Sequence, residues 1–226
     1  MRALLGVAVV VVRVYDVTGI ADADRRVALE VAQELLATAN AHVIFKVCHP
    51  DESNRDPCNT TRPPDERIVR VINSPSSPRS GLRESLGNAV VDAVTNTGVL
   101  ATIYADRVIR RAAGRIDHSL LLGRTIAHEL GHLLLGGTHS KSGLMREFWS
   151  DQELQRNHVT DWAFAPEDRR RICAQLLRAE SLCSGNDDAN VPGRARTTRD
   201  ARTKSVPPAG DHLRRALFDF NPRGPL

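Results

Sequence analysis

The sequence is poor in aromatic residues, which make up 4% of its 226 positions, and it has only two tryptophans and two tyrosines. It contains no glycine-rich phosphate loop, no G-x-S-x-G nucleophile elbow and no paired-carboxylate signature. No C-x-x-C unit occurs, which argues against a structural zinc knuckle. None of these common kinds of site is therefore expected.

The sequence also lacks a hydrophobic run long enough to span a membrane. The apolar run at residues 3–12 has the length of a signal-peptide core, but no small-residue cleavage site follows it. Its valines favour a buried first strand. We expect no membrane span, and either a secreted or periplasmic protein whose signal lies upstream of this sequence or a cytoplasmic protein.

Positive charge is concentrated near the end of the chain. The formal net charge is +4, and residues 186–226 contain eight arginines and lysines against five aspartates. The rest of the chain is close to neutral and shows no basic stripe of the kind that reads nucleic acid. We therefore expect no nucleic-acid partner.

The four cysteines form two local pairs, Cys48 with Cys58 and Cys173 with Cys183. An even number at short separations predicts two disulfides and an oxidising compartment. The alternative is four buried free thiols in a cytosolic protein.

Hydrophobic periodicity predicts an α/β fold with the element order β-α-β-β-β, followed by helices. An amphipathic helix is expected at residues 22–40, capped by Asp22, and a long helix at 119–135, ended by Gly136 as a C-cap. A capping box predicts a short helix after Ser150, and Pro166 begins a last helix that reaches about residue 181. The predicted strands are residues 6–15, 41–48, 67–73, 88–94 and 99–106.

The long helix contains the sequence His128-Glu129-Leu130-Gly131-His132, which is an H-E-x-x-H motif. Residues four apart lie one helical turn above each other, so both imidazoles reach one metal ion from the same face. Glu129 is rotated by about 100° and lies close enough to act on a metal-bound water without being a ligand. The motif predicts a catalytic zinc site.

Two further segments extend this motif. Gly136-Gly137-Thr138-His139 contains a glycine that permits a sharp turn, which brings back a third imidazole from His139. Three neutral histidines leave the fourth tetrahedral position open, as a catalytic zinc requires. Ser142-Gly143-Leu144-Met145 then predicts a tight turn that places Met145 beneath the imidazoles.

Together these residues resemble the metzincin zinc endopeptidases, whose hallmark is H-E-x-x-H-x-x-G-x-x-H followed by a Met-turn. The resemblance implies a twisted mixed sheet with a crossover helix and an active-site helix, and a small, mostly helical C-terminal subdomain. It implies one zinc ion per chain, held by His128, His132 and His139, with Glu129 as general base. It also implies that the strand at 99–106 is the sheet edge that pairs with substrate.

The match departs from the family pattern at one place. Leu133, Leu134 and Leu135 stand between the second histidine and Gly136, so one residue is inserted at the end of the helix. One more helical position or a π-bulge would absorb it. The alternative third ligand is Glu147 or Glu153, as in the gluzincin arrangement.

The expected protein is a zinc endopeptidase that hydrolyses peptide bonds with a zinc-bound water activated by Glu129. Residues 1–184 would form its domain, with 1–135 as sheet and active-site helix and 136–184 as C-terminal subdomain, and 185–226 would be a disordered tail. We expect protein or peptide substrates and a monomer. The alternatives are a non-catalytic metal-binding or protein-binding relative and a zinc hydrolase of a non-peptide amide.

Overall fold

A computed structural model describes residues 9–48, 58, 60–63, 65–75 and 85–177 of the chain. The predicted tail at 185–226, the start of the first predicted strand and Cys183 lie outside the described residues.

Five strands form one mixed sheet, so the predicted α/β fold is confirmed. The sheet has the order β2-β1-β3-β5-β4, in which only β4 runs antiparallel to its neighbour. Helix α1 connects the parallel pair β1 and β2, as the predicted crossover requires. The strands are β1 (Val9–Asp16), β2 (His42–Cys48), β3 (Arg67–Ile72), β4 (Gly87–Val91) and β5 (Gly98–Tyr104).

Five α-helices lie among the described residues, and most bounds agree with the predictions within about three residues. Asp22 is the first residue of α1 rather than its cap, because Ala21 occupies the N-cap position and Asp22 accepts from Arg25 (2.5 Å). A short 3-10 turn, Val159–Asp161, precedes the last helix. The helices are α1 (Asp22–Ala37), α2 (Ala105–Ala112), α3 (His118–Leu135), α4 (Asp151–Arg156) and α5 (Pro166–Leu177).

The core lies between the sheet and helices α1 and α3. Alternate valines of β1, Val10, Val12 and Val14, are buried, as the period of two in a strand requires. Helix α3 is buried on nearly all sides, and of its residues only His118 and Leu120 are partly exposed. A helix enclosed in this way holds its polar side chains in a fixed place, which suits a site built on it.

The predicted edge strand is wrong: β5 lies inside the sheet, between β3 and β4. Ala101 and Ile103 of β5 are fully buried, and β5 pairs in parallel with β3 and antiparallel with β4. The loop at residues 92–97 joins β4 to β5 as a hairpin, so β4 covers the outer edge of β5. The exposed edge next to α3 is therefore β4.

Cys48 and Cys58 form the predicted disulfide. Cys173 is buried in α5 and is disulfide-bonded, while Cys183, its predicted partner, lies outside the described residues. Within the described part of the chain, none of the helices combines the length and apolar character that a membrane crossing needs.

Candidate metal centre and cleft

Helix α3 places His128 and His132 on one face, one turn apart. The helix begins at an Asp117 cap, whose side chain accepts from the backbone N–H groups of Ser119 (2.8 Å) and Leu120 (3.2 Å). The two imidazole rings meet edge to face, with centroids 4.7 Å apart. Their Nε2 atoms are 3.1 Å apart.

The inserted residue is absorbed by one additional helical position. Helix α3 continues without interruption to Leu135 and ends at Gly136, whose φ of +92° is in the region that favours glycine. The Gly136 N–H still donates to His132 O (2.9 Å), so the last turn is intact before the chain leaves the helix. No π-bulge forms.

The chain beyond Gly136 brings His139 back to the two helical histidines. His139 Nε2 lies 3.2 Å from His132 Nε2, and the two rings are nearly perpendicular. The nitrogen atoms that the three rings offer lie within 4.8 Å of one another. Among the described residues, no other group of three His, Cys, Asp or Glu side chains converges in this way.

Backbone carbonyl groups fix the tautomers of His128 and His132. His128 Nδ1 donates to Leu144 O (2.8 Å), and His132 Nδ1 donates to Gly136 O (2.9 Å). A carbonyl oxygen only accepts, so the proton of each neutral ring is on Nδ1 and the lone pair of Nε2 is free. This is the arrangement in which histidines bind metals through Nε2.

Two of the three Nε2–Nε2 distances are those expected between ligands of a tetrahedral zinc ion. With Zn–N bonds of about 2.0–2.1 Å, tetrahedral ligands lie about 3.3 Å apart, close to the observed 3.1 and 3.2 Å. Two unprotonated nitrogens at this distance make no hydrogen bond with each other, so a cation between them would satisfy their lone pairs. Burial lowers the pKa of His128 to about 3 and also lowers that of His132, which keeps both rings neutral.

Glu129 lies beside the three histidines but is not part of their group. Its side chain is 5% exposed, and burial raises its pKa to about 8. None of the described residues gives its carboxyl group a hydrogen bond. Strand β4 passes directly over it, since a Cβ atom at Gly87 would lie 2.8 Å from Glu129 Oε1.

Met145 lies in the turn that follows His139 and packs against α3 at Gly131, between the two helical histidines. It is fully buried, and its sulfur packs against Gly131, where a side chain would collide with it. Its own carbonyl accepts from the Ser140 N–H (2.8 Å). The neighbouring residue Leu144 supplies the carbonyl that orients His128, so this turn supports the site as well as closing it.

The site opens into a cleft of 910 Å³ between strand β4, helix α2 and the segment that follows Met145. Glu147 lines this cleft, but Glu153 forms an ion pair with Arg146 and closes the α4 capping box. Neither joins the histidine group, so the geometry gives the glutamate alternative no support. His158 is exposed and bonds to Thr160 (2.8 Å) rather than reaching the cleft.

No protein-family model and no curated protein sequence matches the chain. Among solved structures, it is similar to archaemetzincin from Methanopyrus kandleri, with a TM-score of 0.48 and 18% identity, over 76% of this chain and 97% of that one. It is also similar to myroilysin, with a TM-score of 0.30 and 14% identity, over 71% of this chain and 70% of that one. These values assign no activity to this chain.

The sequence reasoning missed two features of the cleft. Gly87 is the first residue of β4 and lies above Glu129. Nothing in the local sequence distinguishes it from an ordinary turn glycine. Arginines of α2 also line the cleft. The sequence could have indicated that they share one side of a helix, because they recur three and four positions apart. Only the tertiary structure shows which surface that side faces.

Proposed function

We propose that this protein is a zinc-dependent endopeptidase that uses one zinc ion per chain. The observation that carries the proposal is the convergence of three histidine Nε2 atoms beside a buried glutamate. His128, His132 and His139 would hold the ion, and Glu129 would be the general base. The intact H-E-x-x-H motif and the open cleft support the same assignment.

A zinc ion bound here would supply Lewis acidity, which polarises a peptide carbonyl and lowers the pKa of water. Glu129 would accept a proton from the attacking water and later transfer it to the leaving amine. Because none of the described residues donates a hydrogen bond to it, the carboxyl group is available for this task. Burial raises the pKa of the Glu129 carboxyl group to about 8, and the positive charge of a zinc ion bound beside it would lower that pKa, so that the carboxylate could accept the proton near neutral pH.

Strand β4 would hold the peptide substrate. Gly87, Asn88 and Ala89 line the cleft, and β4 has a partner on only one side. An extended peptide that adds to this free edge would run past Glu129 and the histidines. The absence of a Gly87 side chain would let the substrate backbone approach.

The first test is metal content together with peptide hydrolysis. We expect one zinc ion per chain by elemental analysis, and cleavage of casein or a peptide library that stops when a chelator is added. Glu129→Gln is expected to keep the zinc and lose about 10²–10⁴-fold in turnover. Glu30→Gln, an exposed glutamate on α1, is the matched control and should behave as wild type.

The opposite results separate the alternatives. Absence of zinc would refute the proposal. Unchanged turnover in Glu129→Gln would show that another residue is the general base. Zinc without cleavage of any peptide would favour a binding protein. Cleavage of small amides but not peptides would favour a non-peptide amide hydrolase.

We further propose that the protein works in an oxidising compartment, outside the cytosol. The Cys48–Cys58 disulfide supports this, since such bonds persist mainly in extracellular or periplasmic proteins. We expect a monomer, which a measurement of molar mass in solution would test.

A further inference from the structure

The wall of the cleft is rich in arginine. Helix α2 and the turn after it contribute four, and the segment after Met145 contributes a fifth. The acidic residues that line the cleft are Glu129 and Glu147. The arginines are Arg107, Arg110, Arg111, Arg115 and Arg146.

Among the described residues, the arginines of α2 and of the turn after it outnumber the carboxylates that pair with them. Arg110 pairs with Asp106 (2.8 Å), whereas Arg111 and Arg115 share the single carboxylate of Asp151. Within the described part of the chain, the carboxylates of Asp106 and Asp151 are the acidic partners of these four guanidinium groups. The described residues of the wall therefore carry excess positive charge.

Arg107 has no acidic partner among the described residues. One of its terminal nitrogens donates to Ser85 O (2.8 Å), and its guanidinium lies 4.2 Å from the centre of the Tyr104 ring. Its Nε atom is buried and makes no hydrogen bond. The Arg107 guanidinium lines the cleft, so its terminal nitrogens are placed to donate to the carboxylate of a ligand.

These arginines are held in place before any ligand binds. Arg107 is held by its hydrogen bond to Ser85 O, two residues before β4 begins, and Arg111 donates to Trp149 O (2.6 Å) as well as pairing with Asp151. Side chains that are already ordered lose little entropy on binding. The positive wall is thus a fixed feature next to the proposed path of the substrate backbone.

We propose that the cleft selects peptides with an aspartate or glutamate side chain close to the cleaved bond. Arg107 would bind that carboxylate, and Arg111 and Arg115 would strengthen the positive potential around it. This inference rests on the proposed peptidase function and specifies which peptides the enzyme would prefer. Because the interaction is charged and partly open to solvent, the preference should weaken as salt concentration rises.

The test compares pairs of fluorogenic peptides that differ only by Glu or Gln at each position flanking the cleaved bond. A hydrogen bond to a charged partner changes an equilibrium by about tenfold or more, so we expect kcat/KM to be about tenfold higher for the best Glu peptide. In the Arg107→Gln variant, the ratio of kcat/KM between the Glu and Gln peptides should fall most of the way to one. This variant should still cleave the Gln peptide. Arg107→Lys keeps the charge and should retain part of the preference for the Glu peptide. Arg26→Gln, an exposed arginine of α1, is the control with the same change in charge.

Binding of the same peptides to zinc-loaded Glu129→Gln, followed by fluorescence anisotropy, gives a readout that needs no turnover. Tighter binding of the Glu peptide that disappears in the Glu129→Gln/Arg107→Gln double variant supports the inference. Equal kcat/KM and equal binding for the pair would overturn it and leave the peptidase proposal standing. Selective binding without cleavage would refute the peptidase proposal and leave the recognition of acidic peptides intact.

Discussion

Each of the two helical histidines is oriented by a backbone carbonyl group that lies beyond the end of helix α3. Leu144 O follows the helix by a whole loop, and Gly136 O lies just past the helix end. Both carbonyls belong to the segment that also carries His139. One folded loop therefore supplies the third imidazole and sets the tautomers of the other two, which couples the three groups to each other.

His139 should contribute strongly to metal affinity although it is the most exposed of the three rings. Loss of a direct ligand costs at least as much as loss of an orienting partner, so His139→Ala should weaken zinc binding by about 100-fold or more. Competition with a chromophoric chelator measures this. His158→Ala, also exposed, should bind zinc as wild type. Undiminished affinity in His139→Ala would make Glu147 the better candidate for the third ligand.

At the scale of elements, the β4–β5 hairpin supports the end of α3. Asn96 in the hairpin donates to Leu135 O (3.1 Å), and Arg171 of α5 donates to the same oxygen (2.8 Å). The Asn96 side chain also occupies the space where a Gly136 side chain would be. The carbonyl at the helix end is satisfied from two sides while the chain turns away toward His139.

Removing the Asn96 side chain should loosen the return of His139. Asn96 has a φ of +54°, so Asn96→Gly removes the amide without straining the backbone. We expect zinc affinity to fall by about tenfold, as for other groups that support a ligand. Asn40→Gly, at a residue with a φ of +57°, is the matched control. Equal affinities in the two variants would contradict this role of the hairpin.

At the scale of the whole molecule, a buried ion network joins the sheet to the segment closed by the disulfide. Glu66 accepts from Lys46 (2.8 Å) and Arg13 (2.5 Å), and Arg13 also donates to Cys58 O (2.9 Å). The hydrogen bond from Lys46, together with Arg13, lowers the pKa of Glu66 against the opposing effect of burial. Strands β1 and β2 and the Cys58 segment therefore depend on one ionised carboxylate.

Acid should weaken this network. The folded pKa of Glu66 lies below its unfolded value of about 4.3, so its contribution is complete above that pH and is lost as pH falls through the folded pKa. Glu66→Gln should be less stable than wild type at pH 7, and the difference should shrink in acid. Urea unfolding of both proteins without metal measures it, with Glu30→Gln as control. A difference that stays constant with pH would contradict the assignment.

The sequence predicted the fold class and the convergence on His128, His132 and His139, because both follow from short-range periodicity and turn chemistry. It predicted that β5 is the edge of the sheet, which is wrong. Either strand of the β4–β5 hairpin could pair with β3, and only the packed sheet shows that β5 does so and leaves β4 at the edge. It left the third ligand open between His139 and two glutamates. The length of helix α3 and the φ of Gly136 determine that the chain turns back and places His139 beside His132. Glu153 is instead paired with Arg146.

The sequence alone determined that His128 and His132 lie on one face of α3, since residues four apart share a helix face in any helix. Only the tertiary structure decided what surrounds it: Gly87 above Glu129, carbonyl groups behind the imidazoles and an arginine wall across the cleft. These arise from contacts between segments far apart in the chain. Local preferences carry no information about such contacts, because they form only when the elements pack.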